Sequence, residues 1–385
     1  MPSGICYDGL MHVSVLLPTY NRADLLEETI ASLLKQSRRP DDILIIDDGS
    51  TDGTRERVAA FGPAVSYVFQ QNRGKAAALN HGLRLSRGDV IWICDDDDIL
   101  LPEACRLMSE GLEADPDLDF IAGRYLDFRR DPKTGRIVFS DPGYSPRSRP
   151  EEIFPDLLEG CHIFQPGLMV RRRAYDQTGA FNEGLVRSQD YDMILRLARH
   201  HAGRVLDETV FHHRVHSGAR GSGAQRFAWR DADAVWIAHN RQILGPLVET
   251  LQDEAVLPQH MVRGLDRAAA GRMAGLKRAT ILARAQMWDE AVEHWSRLAG
   301  GDQRPLSPPE GDLIQRATGH AFGCADLLRR RDLRVALRRM ARQSPLGGAM
   351  AGQIRRSLRW RLRYAFLRGR WPDMARILRF WARVR

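Results

Sequence analysis

Four consecutive carboxylates are the residues of this sequence whose types and spacing most clearly indicate chemistry: Asp95, Asp96, Asp97 and Asp98. They directly follow the apolar run 90–94, which predicts a buried strand that delivers all four to one place. Adjacent acids repel one another, so a divalent cation nearby would favour their ionised forms. The alternative is an acidic turn that caps a helix starting near Pro102, because Asp is a favoured N-cap and Pro a favoured first-turn residue.

Polar side chains also follow three earlier apolar runs, 12–17, 43–46 and 65–69, each of which predicts a short strand. The side chains in question are Thr19, Tyr20, Asn21, Asp47, Asp48, Gln71 and Asn72. Helical patterns separate the runs, and Asn21 is a candidate N-cap for the first helix. This alternation predicts an open, largely parallel α/β sheet, in which ligands bind beyond the carboxyl ends of the strands. We therefore expect one site at that edge.

The composition favours a globular protein of more than one domain: 385 residues, 43% hydrophobic and 28% charged. No run of about 18 apolar residues predicts a membrane span, and the first residues lack the pattern of a secretory signal. Five scattered cysteines indicate neither a disulfide framework nor a zinc site. These features predict a cytoplasmic protein. The net charge of +8 is concentrated near the end, where residues 351–385 contain eleven arginines and one acid, Asp373.

The motifs of common phosphate sites are missing from this sequence. The first predicted strand is followed by PTYNR rather than GxGxxG, and no GxxxxGK[ST] loop occurs. The acid run also lacks the spacing of an EF-hand loop. A site without a phosphate loop suggests that a Mg²⁺ or Mn²⁺ ion would itself carry the phosphates of a diphosphate.

Four segments, VSVLLPTYNR, ILIIDDGSTDGT, QNRGKAAALNHG and ICDDDDILLP, resemble in order and spacing the donor-binding half of family two inverting glycosyltransferases with a GT-A fold. The resemblance covers roughly residues 12–220. It implies metal-assisted transfer of a sugar, with inversion, from a nucleoside diphosphate sugar, expected to be a UDP-sugar. The acceptor would be a hydroxyl of a glycan, a lipid-linked molecule or a protein. The processive members' QxxRW motif is absent, which implies a non-processive enzyme.

The resemblance also assigns roles to individual residues. Asp95 and Asp97 match the family's DxD acids, with Asp97 on the metal and Asp95 beside it or beside the ribose. Asp48 would accept a hydrogen bond from the base edge. The full set of implied substrate contacts is Pro18, Thr19, Tyr20, Asp48, Asn72, Gly74, Lys75, Asp95 and Asp96. Taken singly, each has an ordinary structural alternative, such as a strand-end aromatic or a turn aspartate.

Displacement at an anomeric carbon needs a base for the attacking hydroxyl, and a carboxylate at a helix start suits that role. The segment 188–197 predicts such a helix, with Asp190 in its first turn. It resembles the family's Glu-Asp motif, in which the Asp is the base, but Gln189 stands in the place of the Glu. The alternative for Asp190 is a capping carboxylate.

His216 follows a predicted strand at 205–211 and resembles a family histidine that completes the metal shell, which implies a metal ligand. A polar loop histidine is the alternative, and residues 218–223 predict a mobile loop. Residues 115–150, rich in Pro, Asp, Gly and Arg, predict a hairpin and a long loop rather than a core element.

The chain divides into a predicted catalytic domain at 1–227 and a helical, basic domain at 228–385. In the last helix Met374, Ile377, Leu378 and Trp381 share a face opposite several arginines. This pattern predicts either peripheral contact with an anionic membrane or docking of the apolar face on preceding helices. No nucleic-acid partner is expected. Two alternative functions stay open: a non-catalytic nucleotide-sugar-binding scaffold acting through the helical tail, and a nucleotidyltransferase.

Overall fold

The computed structural model describes residues 11–131, 133–140, 145–215, 232–301, 303–320 and 322–384, apart from the side chains of Ala232 and Gln259. The chain forms two compact units, one of residues 1–153 and 161–232, the other of residues 154–160 and 233–385. The sequence prediction placed the boundary at 227 and kept 154–160 with the catalytic domain. That short segment instead belongs to the helical unit.

A nine-stranded mixed sheet is the centre of the first unit, with strand order β3-β2-β1-β4-β8-β6-β9-β5 and β7 paired to β6. Its strands are β1 (Val13–Thr19), β2 (Asp42–Asp47), β3 (Ser66–Phe69), β4 (Val90–Ile93), β5 (Ile99–Leu100), β6 (Phe120–Arg130), β7 (Ile137–Ser140), β8 (Leu168–Arg171) and β9 (Gly203–Arg214). The first four strands are mutually parallel. This confirms the predicted open α/β sheet and brings the four polar strand ends to one edge.

Helices cover the sheet of the first unit, and their sequence positions follow the predicted alternation with the strands. They are α1 (Ala23–Leu34), α2 (Thr54–Ala59), α3 (Lys75–Leu85), α4 (Ala104–Glu113), α5 (Ile153–Glu159), α6 (Arg172–Thr178) and α7 (Gln189–His200). Helix α5 extends into the segment of the second unit. The core is apolar and fully enclosed at Trp92, whose indole donates to the Pro166 carbonyl at 2.8 Å.

Two predicted helix caps are wrong. Asn21 adopts a left-handed backbone with φ of 50°, and its side chain accepts from the Thr51 amide at 2.7 Å instead of capping α1. Helix α4 begins at Ala104 with Glu103 as its N-cap. Asp98 instead accepts from the Arg214 amide at 2.8 Å, because strand β5 carries the chain on to pair with β9. The acid run is therefore not a helix cap.

The prediction that residues 115–150 lie outside the core is wrong for their first part. Strand β6 is eleven residues long and pairs with β7, β8 and β9. Phe120 and Ile121 are buried in the sheet. The predicted hairpin is formed by β6 and β7, but the polar composition hid the burial of β6, in which only the last two residues are exposed, while all of β7 is exposed.

The second unit is helical throughout its described residues, as the pattern after residue 228 predicts. Beyond residues 154–160 its helices are α8 (Ala232–Thr250), α9 (Asp253–Val256), α10 (Gln259–Val262), α11 (Arg267–Arg284), α12 (Trp288–Ala299), α13 (Pro308–Arg316), α14 (Ala325–Arg329), α15 (Arg331–Gln343), α16 (Pro345–Ser357), α17 (Arg359–Leu367) and α18 (Trp371–Arg383). Trp288 and Trp295 lie in its core. None of the helices in the described ranges has the length and apolar character needed to cross a membrane.

Candidate functional site

A pocket of about 430 Å³ lies where the four parallel strands end. The strand ends and the start of α3 supply one wall, and the segment before α7 supplies another. Residues of the first wall are Pro18, Thr19, Tyr20, Arg22, Asp48, Arg73, Gly74, Lys75, Asp95, Asp96 and Asp97. Residues of the second are Glu183, Gly184, Leu185, Val186, Arg187 and Gln189, and His213 also lines the pocket.

Asp48 holds the loop that leads into α3. Its two oxygens accept from the Gln70 side chain at 2.7 Å, the Arg73 amide at 2.9 Å and the Gly74 amide at 2.8 Å. Gly74 has a φ of 92°, a conformation that glycine adopts without strain. Asp48 therefore shapes the pocket rim through this loop, in addition to facing the pocket itself. Asn72 is not among the lining residues.

The acid run faces the protein's own cations. Lys75 Nζ bonds Asp95 Oδ1, and one Arg22 nitrogen bonds Asp97 Oδ2 and lies 3.1 Å from Asp96 Oδ1. Burial raises the pKa of Asp96 to about 6, and the negative charges of Asp97 and Asp95 add to this effect. Arg22 favours the ionised form of Asp96 but is outweighed. Asp96 and the other carboxylates raise the pKa of Arg22 against the effect of burial. The excess negative charge that the sequence indicated is thus partly neutralised within the pocket wall.

His213 lines the pocket, and Asp98 ends the acid run without being among the lining residues. Burial and the charge of Asp97 raise the pKa of Asp98 well above its usual value, despite the Arg214 amide that it accepts from. His213 Nδ1 lies 2.8 Å from Asp127 Oδ1. Burial lowers the pKa of His213, but that hydrogen bond and the charge of Asp98 outweigh burial and raise it. The shift extends the cationic form of this imidazole to higher pH.

Two carboxylates in the first turn of α7 have different hydrogen-bond partners. Asp192 accepts two hydrogen bonds from Arg196, at 3.0 and 2.8 Å. Asp190 accepts from the Tyr191 amide at 2.8 Å and has no cationic side chain bonded to it among the described residues. Its charge nevertheless reaches Lys75, whose pKa burial lowers but Asp95 and Asp190 raise. Asp190 thus stands next to the pocket, and none of the described residues forms a direct ion pair with its carboxylate.

The chemistry of the acid run fits a hard divalent cation, since Mg²⁺ and Mn²⁺ prefer carboxylate oxygens. The described residues contain no preformed group of three or more metal-ligand side chains. Arg22 bonds Oδ2 of Asp97, so a metal bound at that oxygen would compete with a protein cation. His216, the other residue assigned to the metal, lies outside the described residues.

The structure brings most of the sequence-assigned residues to one pocket and adds others. Pro18, Thr19, Tyr20, Asp48, Gly74, Lys75, Asp95, Asp96 and Asp97 line it, and Asp190 is adjacent. Sequence reasoning missed Arg22, Arg73, Glu183, Arg187 and His213. Arg22 directly follows PTYN, and Arg73 precedes Gly74, so proximity to the assigned motifs was the available signal. No local pattern indicated His213, which only the pairing of β9 with β6 places here.

Comparison with known proteins identifies the family of the first unit. Residues 14–179 match the model of glycosyl transferase family 2. An uncharacterized glycosyltransferase of Rickettsia typhi is 26% identical over 230 residues, which cover 58% of this chain and 70% of that protein. The chondroitin synthase of Escherichia coli is 31% identical over 208 residues, which cover 52% of this chain but only 29% of the synthase. The chain thus matches less than a third of the synthase.

Comparison of structures adds the fold. The crystal structure of S. aureus TarS superimposes with a TM-score of 0.50 at 16% identity, over 90% of this chain and 54% of that one. At that identity the likeness concerns the fold. Together with the parallel strand order and the pocket at the strand ends, these matches establish that residues 14–179 are a family 2 glycosyltransferase domain, built on the predicted GT-A fold.

Proposed function

We propose that the chain transfers a sugar from a UDP-sugar to an acceptor hydroxyl in a single, inverting displacement, without processivity. The observation that carries this proposal is the convergence of four strand ends on one pocket that holds basic, acidic and aromatic side chains together. The diphosphate of a donor needs cations, and its nucleobase and ribose need a partly apolar cleft. The acceptor hydroxyl needs a carboxylate beside it that can take its proton.

The basic residues suit the diphosphate of the donor. Lys75, Arg73 and Arg187 line the pocket, and Arg73 is steadied by Glu183, with 3.1 Å between Nη2 and Oε2. Cationic side chains fixed around a leaving diphosphate stabilise the charge that develops as the glycosidic bond breaks. Tyr20 and Pro18 line the same pocket and offer apolar surface for the nucleobase, with Asp48 and Gly74 also in its lining.

The carboxylates divide between the donor and the acceptor. Asp97, with Asp95 beside it, would hold a Mn²⁺ or Mg²⁺ ion, which when bound neutralises charge on the departing diphosphate. Thr19 keeps Asp96 in place through a hydrogen bond of 2.8 Å from its hydroxyl. Asp190 takes the proton of the attacking hydroxyl, because Asp192, the other acid of that helical turn, is held by Arg196.

The nature of the acceptor follows only from the relatives. Chondroitin synthase, as its name says, makes a polysaccharide, which supports a sugar hydroxyl of a glycan or glycoconjugate as the acceptor. The matched region covers a minor part of that enzyme, so this assignment is part of the proposal.

Two matched variants test the proposal. Asp190→Asn should bind UDP as the wild type does, measured by calorimetry, and should lose about 10²- to 10⁴-fold of the rate of UDP release from a UDP-sugar. Asp192→Asn removes a carboxylate from the same helical turn and should keep that rate within a few-fold of wild type. Unchanged turnover in Asp190→Asn would rule out its role as base. Absence of UDP binding in the wild type would refute the proposed donor.

A further inference from the structure

The last two helices of the second unit, α17 and α18, carry an unusual surface. Six large apolar side chains between residues 360 and 378 are at least 45% exposed: Trp360, Tyr364, Phe366, Leu367, Trp371 and Leu378. Large exposed apolar patches are uncommon on soluble proteins, and those that occur often mark interaction surfaces. We call these six residues the aromatic patch.

The aromatic patch shares one residue, Leu378, with the apolar stripe expected from the sequence of the last helix. Ile377 of that stripe is buried, as is Phe380, whereas Leu378 is 45% exposed, so only part of the stripe docks on the helical unit. The other exposed groups of the patch come from α17 and from the first residue of α18. Leu367 and Phe366 are exposed by 68% and 60% at the end of α17. Docking of the last helix therefore leaves a separate surface uncovered.

Arginines surround the aromatic patch and have few acids to neutralise them. Arg361 lies over the Trp360 ring at 4.4 Å and Arg368 over the Tyr364 ring at 5.5 Å. Within the described part of α17 and α18, the one carboxylate is Asp373, and it pairs with Arg370 and Arg376 at 2.8 and 2.7 Å. Most of the positive charge of α17 and α18 is therefore available to an anionic partner.

Helix α15 contributes a buried arginine that lies near charged residues at the end of α18. Arg334 is 8% exposed, and its Nε has no hydrogen-bond partner among the described residues. Burial and the nearby charges of Arg383 and Arg379 lower its pKa. A guanidinium with an unused donor, facing other guanidinium groups, is stabilised by a bound anion such as a phosphate.

We propose that the aromatic patch and its arginines dock the protein on an anionic lipid bilayer. Tryptophan, tyrosine and arginine together suit the boundary between lipid headgroups and acyl chains, where rings enter the apolar layer and guanidinium groups bind phosphates. A second copy of the chain is a poorer occupant, since a symmetric contact would place two arginine-rich surfaces against each other. The proposal is independent of the donor chemistry of the first unit.

The test is co-sedimentation of the full chain with lipid vesicles. Wild type should bind phosphatidylcholine vesicles that contain about 30 mol % phosphatidylglycerol at least about ten-fold more tightly than pure phosphatidylcholine vesicles, and added salt should weaken the binding. Phe366→Ser with Leu367→Ser should reduce binding by about ten-fold or more. The apolar control is Val138→Ser with Phe139→Ser on β7, which is 42% and 49% exposed in the first unit and should leave binding unchanged.

Charge is tested in the same way. Arg359→Glu with Arg363→Glu should also reduce binding about ten-fold, whereas Arg39→Glu with Arg87→Glu makes the same change in net charge on the first unit and should have a much smaller effect. Circular dichroism and thermal unfolding report that every variant is folded. Three results would overturn the proposal: no binding of wild type to anionic vesicles, equal loss in patch and control variants, or a dimer that the patch variants dissociate while vesicle binding persists.

Discussion

Arg22 bonds Asp97, the carboxylate that we propose as a metal ligand. It bonds Asp97 and Asp96, and these contacts raise its pKa. Arg22 thus acts as a counter-ion to these two acids within the pocket wall. Exchange of Arg22 for a divalent ion would couple metal binding to rearrangement of this side chain.

Removal of Arg22 should therefore strengthen metal binding. Arg22→Met leaves Asp96 and Asp97 without their protein cation, and we expect Mn²⁺ to bind about ten-fold more tightly, measured by electron paramagnetic resonance without nucleotide. Arg22→Lys keeps the charge and should stay close to wild type. Weaker Mn²⁺ binding in Arg22→Met would mean that Arg22 organises the acids rather than competing for them.

Gln189 offers a second test at the residue scale. It is 4% exposed and lines the pocket, and its Oε1 has no hydrogen-bond partner among the described residues. Gln189→Leu should raise KM because a substrate hydroxyl loses its acceptor, yet should not lower Tm, because no bond of that oxygen is lost. Gln165→Leu replaces another buried glutamine with an unpaired Oε1, and should leave KM unchanged. An unaltered KM in Gln189→Leu would contradict a substrate contact.

Residues with a local signal were predictable from the sequence, and residues placed by tertiary pairing were not. Lys75 and Asp97 lie inside recognisable motifs and do line the pocket. His213 belongs to β9, and only the register of β9 against β6 turns it towards the acids. The same pairing gives Asp98 the Arg214 amide as its partner, which the capping interpretation could not foresee.

At the scale of elements, α11 is fixed to the segment 154–160 by buried charge. Glu159 is fully buried, and Lys277 of α11 and Arg316 of α13 bond the same carboxylate oxygen. Burial raises the pKa of Glu159, but Lys277, Arg316 and Arg284 outweigh it and lower the pKa. This charged cluster explains why seven residues of the chain between β7 and β8 belong to the helical unit.

Breaking that cluster should be costly. Lys277→Met leaves the Glu159 carboxylate short of its nearest cation, and we expect a loss of about 3–5 kcal/mol in the free energy of unfolding of the helical unit. Urea unfolding followed by the fluorescence of Trp288 and Trp295 measures it. Glu159→Leu combined with Lys277→Met should recover part of the loss, and a double variant as unstable as the sum of the single variants would contradict the pairing.

The strands show which elements a sequence predicts well. Strands β1, β2 and β4 are short apolar runs whose residues are almost all buried, β3 lies at the edge of the sheet with Phe69 exposed, and all four were predicted. The predicted hairpin is present as β6 and β7, but the burial of the first half of β6 was not predicted, since the flanks of this strand are rich in Pro and Asp. Its burial depends on β8 and β9, which follow tens of residues later.

In the helical unit, a histidine with a lowered pKa is expected to make the free energy of unfolding depend on pH. Burial, together with Arg284 and Arg361, lowers the pKa of His320 in the helical unit to about 4. Between its unfolded pKa of about 6.5 and this value, the unfolded chain binds the proton and the folded chain does not, so stability falls as pH falls. The full contribution of neutral His320 is present above about pH 6.5.

Acidification from pH 7.5 to 5 should therefore destabilise the helical unit, by about 1–2 kcal/mol from His320 alone. His320→Gln should flatten the pH dependence of the urea midpoint over that interval, while the midpoint at pH 7.5 shifts by its own, pH-independent amount. Parallel curves for wild type and His320→Gln would show that this imidazole titrates normally.

The division of the molecule was only roughly predictable. Composition changes near residue 228, which the sequence reveals, whereas the assignment of 154–160 to the helical unit rests on Glu159 and its distant partners. The aromatic patch was likewise hidden, because the periodicity of α18 identifies its docked face and not the exposed end of α17.

The anomeric configuration of the first product tests directly whether the sugar is transferred in a single displacement. Proton NMR of wild-type protein with an α-linked UDP-sugar, with water or a sugar acceptor as nucleophile, follows the anomeric proton before mutarotation. A single displacement with Asp190 as base predicts that the β-anomer appears first, together with UDP, and that Asp190→Asn forms neither. An α-configured first product, or no UDP release from any donor tried, would contradict the account.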